Sequence, residues 1–132
     1  MSDSEALVRG PESRLVIEAV DALLHDDIGA AGTIVRQGRD HVGWQALGHR
    51  LDVAGRNLVV DAGLSVDGPG VVDALPELIG CRWIESRELY WVSAVLATWC
   101  EGGSVADDQL WPGLLALSWL VERAGFPAEV VV

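Results

Sequence analysis

Apolar residues return every three or four positions along most of this chain, and sustained one-for-one alternation with polar residues is absent. The first spacing lines up one face of an α-helix, whereas alternation is what a half-buried strand requires. The clearest case is 12–25. At 100° per residue, Leu15, Val16, Ala19, Val20, Ala22 and Leu23 fall on one side, and Arg14, Glu18, Asp21 and His25 on the other. The pattern recurs often enough to predict an all-α fold, a single-domain bundle of about five to six helices with a short extended C-terminal segment. The 132 residues suffice for one core and not for two.

The boundaries follow from glycine and proline. Residues 1–11, ending at Gly10-Pro11, read as a flexible leader, and 12–132 as the helical domain. Gly29, Gly32 and Gly38 limit the next helix to a short one over 28–36. A longer helix is predicted over 42–62, burying Trp44, Leu47, Leu51, Leu58 and Ala62 and exposing Gln45, His49, Asp52 and Arg56. A competing reading makes 57–60 a strand. Gly48 and Gly55 lie on one side of the helix, and glycine costs about 1 kcal/mol there, so a close helix crossing is expected.

Residues 65–70 form a loop and a candidate hinge by composition, followed by a short helix over 71–78. The next helix, 86–101, is apolar nearly all round, with Trp91, Val92, Val95, Leu96 and Trp99 on its broad face; that predicts a place in the middle of the bundle. Ser104 and Asp107 have capping-box spacing before a last helix that Gly125 and Pro127 stop. The end of that helix, Glu122 to Ala128 leading into Val130-Val131, resembles the helix-to-strand step of transglutaminase-like cysteine proteases. Where that family's helix carries its nucleophilic cysteine, this chain has Leu110-Trp111, so the resemblance implies a helix boundary and no activity.

Charge and motif then exclude several functions. Twenty acidic residues against nine basic ones, all arginine, give a net charge of -11. Neither nucleic acid nor an anionic membrane surface is an expected partner, since both reward clustered positive charge. The longest near-continuous apolar run, 89–100, is shorter than the roughly 20 residues a membrane span needs. With an acidic, polar amino terminus, the expectation is a soluble, cytoplasmic protein. Cys81 and Cys100 lack the close spacing of a metal knuckle or redox motif and read as two thiols, with a mutual disulfide as the alternative. Gly29-Ala30-Ala31-Gly32-Thr33 lacks the lysine of a phosphate loop, and no cofactor or metal is expected.

Candidate functional residues fall into two groups. The chain carries six tryptophans, five of them in its last fifty residues. Trp111, Leu115 and Trp119 recur every fourth position, apart from the helix's Leu114, Leu117, Leu120, Val121 and Ala124 face; either another helix or another molecule must cover them. With Trp91 and Trp99 they make a candidate surface for a protein partner or a second copy of the chain, as in an adaptor, inhibitor or immunity-like protein. The other group is chemical. Glu88 falls on the apolar face of its helix, where desolvation would make it a proton-transfer group, or in the first turn, where it would cap backbone N–H groups. With Tyr90 and His49 it would serve a small enzyme or carrier holding an apolar or aromatic small molecule in a Trp-lined pocket. His25, near Asp21 and Glu18, and His41 read as solvated polar groups or unplaced ones.

Overall fold

Residues 110–121 carry no charge and only one polar side chain, Ser118, so a helix formed from them is apolar on every side and has to be surrounded. The computed structural model, which describes residues 2–64 and 71–125 and only the backbone of 2–10, shows this arrangement. The described residues form six helices: α1 (Ser2–Leu24), α2 (Ile28–His41), α3 (Trp44–Asp61), α4 (Val71–Ile79), α5 (Leu89–Cys100) and α6 (Leu110–Ala124). Short 3-10 turns, Ser86–Glu88 and Asp107–Gln109, lead into α5 and α6. There is no strand among the described residues, and the fold is the expected all-α bundle. The hinge expected at 65–70 and the extended segment expected after Gly125 lie outside the described residues.

The centre of the bundle is α6, where α5 was expected. Residues 112–121 are all buried, and α6 packs on α1, α3 and α5. Pro112 is tolerated because it lies in the first turn, where backbone N–H groups have no intrahelical acceptor. Gly125 ends the helix in the left-handed conformation, φ 72°, its N–H donating to the Glu122 carbonyl at 3.1 Å.

Two boundaries differ from the pattern-based expectation. The first helix starts at Ser2 and carries Pro11 inside it, so 2–11 is helical backbone instead of a loose leader. Proline's fixed φ is itself helical, which lets the helix continue at the loss of one backbone hydrogen bond. α2 runs on to His41, past Gly38. Gly38 is a packing residue here: a Cβ on it would lie 3.1 Å from Leu15 and 3.2 Å from Leu47. Asp27 opens α2 by accepting from the Ala30 N–H at 3.1 Å, and Arg39 and His41 suit the negative end of its dipole. Residues 57–60, the competing strand, are helical. Trp44, expected in the core, is 39% exposed because it is the first residue of α3 and lies beyond its packed turns.

A buried carboxylate ties α3 to the second half of the chain. Asp52, expected to face solvent, is buried. One of its oxygens, Oδ1, accepts from the Trp99 indole N–H at 2.9 Å and from the Val105 backbone N–H at 3.0 Å. Gly55 lies one turn on and leaves room for that indole; a Cβ there would come within 2.3–2.5 Å of three Trp99 ring atoms. This is the close crossing expected from the helical glycines, with a tryptophan filling the notch. Arg56 adds bonds to the carbonyls of Asp52 (3.2 Å) and Gly102 (3.3 Å). The result fixes the loop before α6, and so where α6 begins relative to α5.

Candidate functional site

The starts of α5 and α6 lie side by side, joined by one carboxylate. Glu88, the last residue of the first 3-10 turn, accepts from the Glu85 backbone N–H with Oε1 (3.2 Å) and from the Trp111 indole N–H with Oε2 (2.8 Å). The first bond is the helix-capping role; the second crosses to α6. With both oxygens engaged, Glu88 is built in as a clamp.

Around this clamp is a cleft of about 240 Å³ lined by Glu88, Trp91, Asp108, Trp111 and Pro112. It adjoins a larger groove of about 510 Å³, which shares Asp108 and Trp111 and continues across α2 over Ile28, Gly32, Val35, Arg36 and Arg39. Trp91 is 47% exposed. Trp111 is half-buried, its indole N–H held by Glu88. Tyr90 is exposed and meets Trp91 edge to face, with ring centroids 5.2 Å apart. Of the nearby cations, Arg87 pairs with Glu85 at 2.7 Å and Arg39 with Asp107 at 2.6 Å, while Arg36 donates to the Thr33 hydroxyl at 3.4 Å. Asp108 is exposed, and its side chain has no hydrogen bond or ion pair among the described residues.

The sequence-derived candidates separate accordingly. Glu88, Trp91 and Trp111 come together at the cleft, with Tyr90 beside it. His49 is exposed on α3 and does not line it. The aromatic stripe of α6 is covered by the chain itself, for Leu115 is fully buried and Trp119 is 4% exposed. The Trp83 indole N–H donates to the Leu115 carbonyl at 3.4 Å, and the Arg123 guanidinium lies over Trp119, 5.4 Å from its centroid. Trp99 is buried on Asp52. Three of the five residues proposed to meet a partner therefore belong to the core. Trp91, placed on the buried face of α5 by its phase, opens outward because it lies in the helix's first turn. His25 and His41 are exposed, His25 donating from Nδ1 to the Asp21 carbonyl at 2.8 Å.

Asp108 was missed by sequence reasoning. It reads there as one acid among twenty, and only the packing of the turn against α5 distinguishes it.

A second cleft, of about 350 Å³, lies between Glu77, Cys81, Arg82, Trp119 and Arg123. Its charges are mutually engaged: Arg82 binds Asp26 and Glu122, and Arg123 binds Glu77. Both cysteines are free and half-buried. Burial pushes the Cys81 thiol above its ordinary pKa, only partly opposed by hydrogen bonding to the Trp83 backbone; burial and the nearby Glu101 raise Cys100 likewise. An activated nucleophile would require the reverse shift. Among the described residues no group of three or more His, Cys, Asp and Glu side chains is placed to hold a metal ion, and no helix is long and apolar enough to cross a membrane.

No family model matches this chain, and no curated protein and no solved structure matches it.

Proposed function

We propose that this protein is an acidic helical binding module that recognises a protein partner through the surface around Trp91 and Trp111, in an adaptor, inhibitor or immunity-like role. The supporting observation is one arrangement: two tryptophans on neighbouring helices open onto a shared cleft that continues as a groove over α2. Tryptophans left open to water at a concave site are the usual anchors of protein interfaces. With -11 net charge, two copies of this chain repel one another, while a basic partner is drawn in and its encounter accelerated. That favours a different, basic protein over a second copy. Free Cys81 and Cys100 suit a reducing compartment, consistent with a cytoplasmic protein.

A second reading, a carrier for an apolar or aromatic small molecule, draws on the same cleft. At about 240 Å³ it is smaller than pockets that enclose drug-sized ligands, roughly 300–1,000 Å³, and suits a single inserted side chain better.

The test compares the wild-type chain with Trp91→Ser as immobilised baits at low and moderate salt, followed by calorimetry with the purified prey. The expected result is a basic protein held by the wild type, released by salt and lost by the variant. Identical retention by both baits would overturn the proposal. Native mass measurement on the same samples reports any copied subunit or retained ligand.

A further inference from the structure

We infer that the cleft between the starts of α5 and α6 is a receptor for a cation, and that its occupant is a lysine or arginine side chain presented by the partner. The inference rests on the partner-binding reading and gives it a chemistry. Trp91 and Trp111 supply indole surface, and Glu88 and Asp108 supply negative charge. An organic cation is attracted by the face of an indole as well as by a carboxylate, so both kinds of wall favour the same guest.

The sign of the field decides between a cation and an anion. Two helix starts point into this region, and each carries about half a positive charge. Against that stand the two full negative charges of Glu88 and Asp108 on the cleft wall. Arg87 and Arg39 are each matched by an acid, Glu85 and Asp107, and Arg36, which donates to the Thr33 hydroxyl at 3.4 Å, lines the adjoining groove and not the cleft. Within the cleft's own lining the balance is negative by about one charge. No arginine lines the cleft.

The same chain shows how it treats indoles elsewhere. Arg82 lies over Trp83 at 4.9 Å and Arg123 over Trp119 at 5.4 Å. Among the described residues no cation is placed over Trp91 or Trp111. The cleft thus offers the partner the contact that internal arginines make at Trp83 and Trp119.

The test uses the intact chain and follows the indole N–H resonances of Trp91 and Trp111 at constant ionic strength. The probes are the N-acetyl methylamides of lysine, arginine and norleucine, with tetramethylammonium as a free small cation. Saturable shifts at both indoles are expected with the lysine or arginine amide in the millimolar range, with norleucine about tenfold weaker. Asp108→Asn, at a side chain with no hydrogen bond or ion pair among the described residues, should weaken the basic amides severalfold and leave norleucine unchanged. Equal binding of norleucine would overturn the inference, as would the absence of any saturable shift or indifference to Asp108→Asn. Binding of tetramethylammonium alone would overturn the assignment to a partner's side chain. Failure here leaves the partner reading standing if Trp91→Ser still releases the prey. Failure of that bait comparison alongside saturable cation binding would instead remove the protein partner.

Discussion

Asp52→Ala removes the acceptor on which α3, α5 and the loop before α6 converge. Its Oδ1 takes two hydrogen bonds, from the Trp99 indole and the Val105 backbone. Both donors are on buried residues, and each one orphaned costs about 1–3 kcal/mol. Relief of the carboxylate's own desolvation offsets part of that sum, so the expected net loss is about 2–4 kcal/mol. For a chain of this size that lowers Tm by roughly 6–15 °C. Asp52→Asn keeps an oxygen in place and should lose about 1 kcal/mol, the difference between a charged and a neutral acceptor. Trp99→Phe removes one of the two donors, so a double-mutant cycle between positions 52 and 99 should show a coupling of about 1.5–3 kcal/mol. Urea denaturation with a constant m-value is the assay. A loss below about 0.5 kcal/mol for Asp52→Ala, the scale of an ordinary surface change, would refute the reasoning.

Further expectations follow from the same packing. Gly55→Ala drives a methyl into the Trp99 ring and should destabilise by about 1–3 kcal/mol in thermal denaturation, the usual range for overpacking. Trp119→Ala should cost about 3–5 kcal/mol of stability, as truncation of a core aromatic does, and should therefore show as unfolding in a urea titration. Because burial raises both thiol pKa values above the ordinary 9.0, the folded state holds those protons more tightly than the unfolded one. Their effect is absent at neutral pH, and stability is lost as pH rises past that value; urea midpoints at pH 7 to 10 should fall less steeply for Cys81→Ala/Cys100→Ala than for the wild type.

The amphipathic helices were legible in the sequence because each has one face to hide. The phase of Val16, Ala19, Val20 and Leu23 gave the buried side of α1, and Gly55 announced a close neighbour on α3. Central position was misassigned, for Leu89–Cys100 and Leu110–Ala124 are both strongly apolar. The sharper signal was the uncharged run from Leu110 to Val121, which leaves no face for water, whereas Tyr90 and Trp91 lie in a first turn that projects past the packed layer. Asp52 looked solvent-facing because helical phase reports a direction along one helix and nothing about what lies opposite. The site was half-visible on the same grounds. Glu88, Trp91 and Trp111 were picked out by type, but their convergence depends on Glu88 meeting Trp111, 23 positions further along the chain, and no local pattern encodes that. Asp108 carried no distinguishing mark.

The account turns on which tryptophans face water, and solvent exchange of the assigned indole N–H protons measures that residue by residue. Trp91 should exchange nearly as fast as a free indole, Trp111 more slowly behind its bond to Glu88, and Trp99 and Trp119 only on local or global opening of the fold. A Trp119 that exchanges as freely as Trp91, or a Trp91 protected like Trp99, would contradict it.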